Sequence, residues 1–390
     1  MLRAEANLRL MDSLTYSNKP MKLKLAIIGA SRGQYQLCLR ARQLGIETYC
    51  FAWPQNAVCK DIVDHFIPIS ITEKDKIVEY CKAIRVNGVV SNASELTNDV
   101  VSYVSEKLGL IGNKYCNLKK IQNKSFVREI TSDLEGLKNI ESKKGSISEL
   151  FGSFPRPFVI KPISGGGKKG VNYIDYNTKL SDLDNLDNFD PEKDLFLAEE
   201  YIGGKEYSIE CLSYRNSHQV IQITEKDSSG PPHFVEMAHH QPAIIPESMQ
   251  RKITSLVPEL LKRIGFENGA SHIEIKITDA DEIYLIEVNP RGGGDNISNV
   301  LVSLSTDFDY IKAIIEVALG IYQRPSTINN SAFCGIYMLN LQSAHLIKYF
   351  QDSYDWMYYK TDLSLPIKEA KSNWDNQQYF IYKSDHKIEL

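Results

Sequence analysis

Residues 271–295, SHIEIKITDADEIYLIEVNPRGGGD, carry the pattern that decides the fold. Polar and apolar residues alternate on both sides of Ala280 and Asp281, which predicts two antiparallel strands joined at a tight turn. One face of this hairpin collects the apolar residues, which are Ile273, Ile275, Ile277, Tyr284, Ile286 and Val288. Such a hairpin packs its apolar face on a core and keeps its register, since a slip by one residue would turn every side chain over.

The other face of the predicted hairpin is polar. In this register Glu274 lies opposite Glu287, and His272 lies opposite Asn289. Directly opposed carboxylates have Cβ atoms about 4.5–5.5 Å apart and repel each other, so a cation should lie between them. Glu274, Glu287 and Asn289 therefore predict an oxygen-only, partly open site for Mg²⁺ or Mn²⁺ rather than for zinc, which takes more His or Cys. The alternative is the exposed polar face of an ordinary hairpin.

The residues that follow the hairpin suit the binding of a phosphoryl group or a carboxylate. Arg291 can make a forked contact with either group. The glycines from Gly292 to Gly294 allow the backbone to approach a ligand closely. Arg291 and Glu287 are therefore catalytic candidates.

A second glycine-rich segment, IKPISGGGKKGV, predicts a phosphate-binding turn between two strands. Successive N–H groups of such a turn can form an anion nest, and lysines add positive charge. The predicted phosphate contacts are Ser164, Gly165, Gly166, Gly167, Lys168 and Lys169. Lys161 ends the preceding strand and can reach a phosphate or the base, which makes it a third catalytic candidate. No Walker motif occurs, and a plain hairpin turn is the alternative.

The N-terminal part of the chain alternates strands and helices. The segment LKLAIIGASRGQYQLCLRARQLGIETYCFA reads as strand, glycine turn, helix and strand, and the same alternation continues to Gly109. It predicts a parallel sheet covered on both faces, with loops that present a small-molecule substrate. A dinucleotide-binding interpretation is weak, because the turn Gly29–Gly33 lacks a third glycine and Cys50, Phe51 and Ala52 stand where an acidic residue is needed.

Composition excludes several classes of partner. The net charge is -4 and the sequence pI is about 6.1, so no general basic field exists for nucleic acid or an anionic membrane. Seven scattered cysteines without a CxxC pair predict reduced thiols. No window approaches the ~18 apolar residues of a membrane span, and residues 1–20 lack the apolar core of a signal peptide. We expect a cytoplasmic protein.

Several segments, taken together, carry a family resemblance. They are FVIKP followed by GGGKKGV, LAEEYIGGKEYSIE, HIEIKI and LIEVNPRGGGD. In this order they resemble the ATP-grasp superfamily, most closely its carbamoyl-phosphate-synthase-like branch, which includes L-amino acid ligases and biotin carboxylase. The resemblance implies α/β and α+β architecture: an ATP-grasp fold preceded by an N-terminal Rossmann-like lobe with a parallel sheet. It also implies ATP and Mg²⁺ (or Mn²⁺) as cofactors.

The resemblance assigns roles to residues of the nucleotide and metal sites. Lys124 and Lys161 resemble two ATP-contacting lysines, and Glu206 resembles a ribose-binding acid. The segment SGGGKKGV resembles a mobile flap. The hinge that accepts adenine corresponds to Glu199, Glu200, Tyr201 and Ile202, with backbone groups of the last two expected to bind the base. Mg²⁺ ligands of the family correspond to Glu274, Glu287 and Asn289, and the basic residue beside the transferred phosphoryl group corresponds to Arg291.

Two further segments resemble the amino acid ligase branch. FVEMAHHQP resembles a segment that lines the acceptor pocket, and SNASEL resembles a substrate-facing loop of the first lobe. The candidate substrate contacts are Glu95, Glu236, His239, Arg291, Gly293 and Gly294. Some of these ligases place a second Arg further along the chain, but Val300 stands at that position here.

The resemblance implies an ATP-dependent carboxylate–amine ligase that forms an amide or peptide bond through an acyl phosphate and releases ADP and phosphate. A bicarbonate-activating carboxylase or carbamoyl-phosphate-type enzyme is one alternative, and a non-catalytic ATP-binding protein is another. The expected partners are small-molecule carboxylate and amine substrates and a second copy in a homodimer. The predicted divisions are 1–20 (leader or tail), 21–117 (N-terminal substrate lobe), 118–195 (small ATP-grasp subdomain with the flap), 196–328 (large ATP-grasp subdomain with the metal site) and 329–390 (C-terminal subdomain).

Overall fold

Three β-sheets with helices packed on them form the described part of the chain. The computed structural model describes residues 22–163, 170–183, 186, 189, 190 and 192–390. Within these residues two sheets have four strands each and the third has eight. One sheet is parallel and the other two are antiparallel, which confirms the predicted mixture of α/β and α+β architecture.

The N-terminal lobe is built on the parallel sheet. Its elements are β1 (Lys24–Ile28), α1 (Arg32–Gln43), β2 (Glu47–Phe51), β3 (His65–Ile67), α2 (Lys74–Ile84), β4 (Gly88–Val90) and α3 (Glu95–Leu108). The strand order is β3-β2-β1-β4. Helix α1 begins directly after the glycine turn because the Ser31 hydroxyl accepts from the Gly33 N–H at 3.3 Å and Gln34 Oε1 accepts from the Ser31 N–H at 3.0 Å.

The second sheet belongs to a small antiparallel lobe. Its elements are α4 (Tyr115–Ile121), α5 (Lys124–Thr131), β5 (Ser142–Gly145), α6 (Ile147–Ser153), β6 (Phe158–Pro162), β7 (Asn172–Ile174) and β8 (Phe196–Glu200). The strand order is β5-β8-β6-β7. Strand β5 and helix α6 were not predicted, because β5 is an edge strand whose polar sequence, SKKG, shows no alternation. Strand β8 pairs within this sheet, and the division at residue 195 stays a prediction.

The third sheet is the largest and provides the floor of the site described below. Its elements, with the helices between them, are β9 (Lys205–Tyr214), β10 (Ser217–Ser228), β11 (Glu236–Gln241), α7 (Glu247–Arg263), β12 (Gly269–Ile277), β13 (Ile283–Asn289), a π-helical turn (Ile297–Leu301), α8 (Val302–Ser305), α9 (Tyr310–Ala318), β14 (Phe333–Leu339), α10 (Ile347–Gln351), β15 (Met357–Lys360) and β16 (Gln378–Ser384). The order is β13-β12-β9-β10-β11-β14-β16-β15. Helix α7 covers one face, where its apolar side chains join those of β9, β12 and β13 in a buried core.

The predicted hairpin is strands β12 and β13, and its register next to the polar residues is confirmed. Glu274 pairs with Glu287 and His272 pairs with Asn289. The register then shifts by one residue at a β-bulge after Glu274. The prediction that Tyr284 and Ile286 lie on the core face is therefore wrong.

The bulge puts other residues of β13 in the core. Ile283 and Leu285 are buried there beside Ile275, whereas Ile286 lies next to the cleft described below. The loop of residues 278–282 is longer than the predicted turn, and the bulge restores the pairing near the carboxylates. The bulge offsets the change in register that the longer loop introduces, so the two carboxylates still face each other.

Residues 329–390 extend the large sheet, since β14, β16 and β15 continue it beyond β11. The aromatic residues of this segment pack mainly against one another. Tyr354 stacks on Trp356 at a centroid distance of 4.8 Å, and Trp356 lies 6.1 Å from the buried Phe380 ring. Tyr358 and Tyr359 are exposed.

One hydrophobic core joins the N-terminal lobe to the large lobe. Leu25 and Ile27 of β1 point into the same buried cluster as Ile311, Ile314 and Ile315 of helix α9. The opposite face of the parallel sheet is covered by α2 and α3. Helix α9 therefore serves as a helix of the N-terminal lobe although it follows the large sheet in the chain.

Two expectations from composition can be compared with the described residues. None of the helices in the described ranges combines the length and apolar character needed to cross a bilayer. All seven cysteines are free thiols, and Cys116 is exposed while the other six are buried.

Candidate active site

One face of the large sheet carries a series of polar side chains arranged in rows across neighbouring strands. Lys226 of β10, Glu206 of β9 and Lys276 of β12 are direct neighbours in one row. The next row along the strands contains Glu274 of β12 opposite Glu287 of β13. Because side chains two residues apart on a strand share a face, both rows point the same way.

A cleft lies between this face and the small sheet. Its lining includes nine of the residues predicted for the nucleotide and metal sites: Lys124, Lys161, Glu199, Glu200, Tyr201, Ile202, Glu206, Glu274 and Glu287. The predicted flap residues Ser164, Gly165, Gly166, Gly167 and Lys168 lie outside the described residues, as does Lys169. Strand β6 forms a wall of the cleft through Val159, Lys161 and Pro162, and Val171, which directly precedes β7, lies on the same wall.

The two opposed carboxylates are neutralised by lysines. Lys124 Nζ lies 2.9 Å from Glu287 Oε1, and Lys226 Nζ lies 3.3 Å from Glu274 Oε1. His272 Nε2 is a further neighbour of Glu274 Oε1 at 3.1 Å. Burial raises the pKa of Glu287, but the Lys124 ammonium outweighs burial and the net pKa is lowered. Each of the two carboxylates thus has a lysine ammonium beside it, and a metal cation between them stays a prediction.

The donor set at this place fits a magnesium ion. Asn289 is buried on the same face, and its Nδ2 lies 3.4 Å from Glu287 Oε2. Two carboxylates and one amide oxygen are hard ligands, and Mg²⁺ completes its octahedron with water and phosphate oxygens. Within the described ranges no group of three or more His, Cys, Asp or Glu side chains is arranged for a metal ion. A site here would therefore depend on oxygens from a bound phosphate.

Comparison with known proteins identifies this part of the chain. Residues 154–300 match the family model described as "ATP-grasp domain". The chain contains an ATP-grasp domain. The match includes β6, β8 and the hairpin β12–β13, which are the elements that line the cleft. ATP-grasp enzymes use ATP and Mg²⁺.

Two curated relatives and two solved structures illustrate the similarity. The chain is 24% identical over 249 residues to the alanine–anticapsin ligase of Bacillus amyloliquefaciens, covering 57% of this chain and 52% of that protein. It is 25% identical over 170 residues to the carbamoyl phosphate synthase large chain of Beutenbergia cavernae, covering 42% of this chain and 15% of that protein. This chain thus spans about half or less of the length of these relatives.

The structural similarity extends over nearly the whole chain. The L-amino acid ligase from Bacillus licheniformis superimposes with a TM-score of 0.75 at 20% identity, covering 94% of both chains. The N5-carboxyaminoimidazole synthetase from Staphylococcus aureus complexed with ADP gives a TM-score of 0.73 at 16% identity, covering 94% of this chain and 95% of that one. At these identities the comparison establishes the ATP-grasp fold alone.

A buried ion network holds Lys161 in the ATP-grasp cleft. Lys161 and Arg128 both form ion pairs with the Glu199 carboxylate, and all three side chains are buried. Burial raises the pKa of Glu199, but Arg128 and Lys161 together lower it to about 2. Burial lowers the pKa of Lys161, and Glu199 counteracts that effect. The side chain of Glu199 therefore fixes Lys161, and a direct contact of Glu199 with adenine stays a prediction.

Arg128 was missed in the sequence, although it follows Lys124 by one helical turn in α5. Its NH2 group also donates to the Ile286 carbonyl at 2.9 Å, at the bulge of the metal-site hairpin. That spacing along a helix was the available signal, since residues four apart share a face. Arg128 thus connects the small lobe to the large sheet.

Some backbone groups of the predicted adenine hinge already make hydrogen bonds within the protein. The Tyr201 N–H donates to the Pro157 carbonyl at 3.3 Å, and the Ile202 carbonyl accepts from Lys276 Nζ at 2.9 Å. Of the two hinge N–H groups, only that of Ile202 has no hydrogen bond to another described residue. Glu200 Oε1 accepts from the Glu141 N–H at 2.8 Å. The Ile202 N–H is therefore the hinge donor that can reach a base.

Two aromatic residues that were not predicted as site residues, Phe234 and Tyr173, lie beside the hinge. Phe234 lines the cleft with a φ of +49°, and its ring centroid lies 6.1 Å from that of Tyr201 and 6.2 Å from that of Tyr173. The ammonium of Lys276 lies 5.1 Å from the Tyr201 centroid. A non-glycine residue in the left-handed region is uncommon and marks a constrained position. These rings form the apolar wall that a purine needs.

Three of the residues predicted to contact the acceptor lie on β11 and at the start of α3. Glu236 and His239 are buried on β11, and Lys226 Nζ lies 3.0 Å from Glu236 Oε1. His239 Nε2 lies 3.7 Å from Asp295 Oδ2, and neither ring nitrogen of His239 has a hydrogen-bond partner among the described residues. Glu95 is partly buried at the start of α3, and this burial raises its pKa while Lys124 opposes the rise.

The glycines after the hairpin have a structural role. A Cβ atom on Gly292 would lie 2.4 Å from Asn92 Oδ1, and one on Gly293 would lie 2.6 Å from Glu210 Oε1. The Gly293 N–H donates to Glu210 Oε2 at 3.0 Å, so it is committed within the protein. Gly294 has open space around it. Arg291 is half-buried, and its guanidinium donates to the Gly292 carbonyl at 2.9 Å and the Asn289 Oδ1 at 3.4 Å.

Proposed function

We propose that this chain is an ATP-dependent carboxylate–amine ligase of the acid–amino acid type, which forms an amide or peptide bond and releases ADP and phosphate. The observation that carries the proposal is the shared polar face of the large sheet. It holds Glu206, the two opposed carboxylates Glu274 and Glu287, and the acceptor-side residues Glu236 and His239. The residues proposed to bind the nucleotide, the metal ion and the acceptor thus share one face of the sheet.

The lysines and carboxylates of the cleft would bind and orient the nucleotide. Lys161, fixed by Glu199, and Lys124, beside Glu287, are placed to contact phosphate oxygens. Glu206 would accept hydrogen bonds from ribose hydroxyl groups. Glu274, Glu287 and Asn289 would hold Mg²⁺, which supplies charge neutralisation for the β- and γ-phosphates.

Arg291 would stabilise the charge that develops while the phosphoryl group moves to the substrate carboxylate. The resulting acyl phosphate is then attacked by an amine, which expels inorganic phosphate. Closure over the cleft would exclude water, which otherwise hydrolyses the acyl phosphate. No covalent intermediate with the protein is required.

The acceptor would bind near Glu236, His239 and Glu95. A buried imidazole without a hydrogen bond costs folding free energy, which a ligand that supplies the bond recovers. The negative charges of Glu95 and Asp295 suit a substrate ammonium group, and Arg291 suits a carboxylate. An amino acid carries both groups.

The test is Mg²⁺-dependent release of ADP and phosphate from ATP across a matrix of single and paired amino acids and other small acids. We expect release that requires a carboxylate and an amine together. Glu287→Ala should lower kcat about 100- to 1,000-fold, the usual effect of removing one transition-state-stabilising group. Glu282→Ala is the matched control, because Glu282 lies in the loop of the same hairpin and pairs with Lys138 outside the cleft.

Other outcomes would change the assignment. Release stimulated by bicarbonate alone would replace the proposal with a bicarbonate-activating enzyme. Binding of ATP without any release across the panel would favour a non-catalytic nucleotide-binding protein. Assembly as a homodimer stays a prediction.

A further inference from the structure

Lys226 is a buried cation in contact with three carboxylates. Its side chain is only 2% exposed on the site face of β10. Its Nζ lies 2.9 Å from Glu206 Oε1, 3.0 Å from Glu236 Oε1 and 3.3 Å from Glu274 Oε1. These three acids come from three different strands, β9, β11 and β12. One ammonium therefore connects the ribose, acceptor and metal parts of the proposed site.

The surroundings keep Lys226 charged and fixed. Its ammonium lies within 3.3 Å of three carboxylate oxygens, and nearby opposite charges favour the charged form. The side chain is enclosed by the sheet, so it cannot withdraw into solvent. Glu274 is therefore always beside a positive charge.

The second metal carboxylate has an equivalent partner. Lys124 Nζ lies 2.9 Å from Glu287 Oε1, so each member of the opposed pair has an ammonium group beside it, although Lys226 also serves Glu206 and Glu236. Like charges in a site of low dielectric repel strongly. A free divalent cation entering between Glu274 and Glu287 would be repelled by these two ammonium groups. A cation that arrives together with nucleotide phosphates brings compensating negative charge.

We propose that Lys226 is a positioning residue and a resident counter-cation of the metal site. It holds Glu206, Glu236 and Glu274 at fixed separations and weakens binding of a divalent cation until nucleotide phosphates are present. The inference rests on the proposed nucleotide and metal site and adds the order of binding. Lys226 itself does not touch the reacting atoms.

The experiment measures Mn²⁺ binding by electron paramagnetic resonance, with and without ADP. The wild-type protein should bind Mn²⁺ at least about tenfold more tightly when ADP is present. Lys226→Met should bind Mn²⁺ about tenfold more tightly than wild type in the absence of ADP, because a repelling charge near Glu274 is gone. The same variant should bind ADP more weakly, since Glu206 loses its partner.

The sign of the Mn²⁺ effect separates this role from a merely structural one. Damage to the site would weaken Mn²⁺ binding, whereas loss of the counter-cation strengthens it. Lys205→Met is the matched control: Lys205 precedes Glu206 on β9, points to the opposite face and pairs with Glu225, which keeps Lys387 as a partner. Its Mn²⁺ affinity should equal that of the wild type.

A second variant covers the case in which Lys226→Met does not fold. Lys226→Gln keeps an amide donor for the carboxylates while removing the charge, and the same tightening is expected. Unchanged or weaker Mn²⁺ binding in a folded variant would overturn the inference. So would a wild-type protein whose Mn²⁺ affinity does not respond to ADP. If ADP and Mn²⁺ fail to bind the wild type at all, the proposed function fails with it.

Discussion

The proposed nucleotide end and the proposed acceptor end of the site differ in how their charged and polar groups are partnered. At the nucleotide end Lys161, Glu199 and Arg128 form a closed ion network. At the acceptor end both ring nitrogens of His239 lack hydrogen bonds among the described residues, and Asp295 lies 3.7 Å away. A closed network resists change in the folded protein, whereas unsatisfied polar atoms favour a ligand that completes them. We therefore expect the nucleotide end to be preformed and the acceptor end to be completed by its ligand.

The largest expected effect breaks the closed network. Glu199→Gln leaves Lys161 and Arg128 as buried like charges without a counter-charge, which should lower the free energy of unfolding by about 3–5 kcal/mol. Urea denaturation monitored by circular dichroism measures the change. Glu282→Gln, which removes one half-exposed partner of Lys138, should lower it by less than about 1 kcal/mol. Equal effects of the two substitutions would show that the network is not preformed.

A smaller effect of opposite sign is expected at the acceptor end. His239→Leu removes two unsatisfied nitrogens from a buried place at similar volume, so the free energy of unfolding should stay unchanged or rise by about 1 kcal/mol. The KM for the acceptor should rise about tenfold, because a ligand hydrogen bond is lost. The Kd for ADP should stay the same. A clear loss of stability in this variant would mean that His239 is a structural residue.

The smallest effect concerns acid stability. Because the pKa of Glu199 is about 2 in the folded protein and 4.5 ordinarily, its contribution is fully present above pH 4.5 and is lost as the pH falls toward 2. The unfolding free energy of the wild type should fall by about 1 kcal/mol more than that of Glu199→Gln between pH 4.5 and about pH 3.5. Glu95 at the other end has a raised pKa, so its contribution has the opposite sign and is lost as the pH rises through that pKa.

Urea denaturation at a series of acidic pH values tests whether Glu199 and Glu95 change stability with opposite signs. Urea midpoints of wild type, Glu199→Gln and Glu95→Gln are measured at each pH. Parallel pH profiles for wild type and Glu199→Gln would contradict the assigned role of the ion network.

The sequence predicted the parts of the site that follow from strand alternation. The pairing of Glu274 with Glu287 follows from period-two polarity around one turn, and the structure has it. The bulge was not predictable, because Leu285, Ile286 and Val288 are all apolar and fit either face. The β-strand SKKG was missed for a different reason: an edge strand with exposed polar side chains shows no alternation.

The residues that hold the site together were harder to predict. Lys226 meets Glu206 and Glu274 only because β9 lies between β10 and β12 in the sheet. The order of strands in a sheet is not encoded in local periodicity, so a lysine in a strand could not be assigned to a partner. Phe234 lies beside the hinge in a left-handed backbone conformation, and no pattern in the sequence predicts that conformation.

Helix α9 gives the molecule two mechanical parts rather than three. Since α9 and β1 bury their side chains in one cluster, we expect the N-terminal lobe and the large sheet to move as a single block. The small lobe, which contacts the large sheet through hydrogen bonds such as that from Arg128 to the Ile286 carbonyl, is then the part expected to change the width of the cleft. We therefore expect any opening to alter the distance from Lys161 to Glu287 and to leave the distance from Glu95 to Arg291 unchanged.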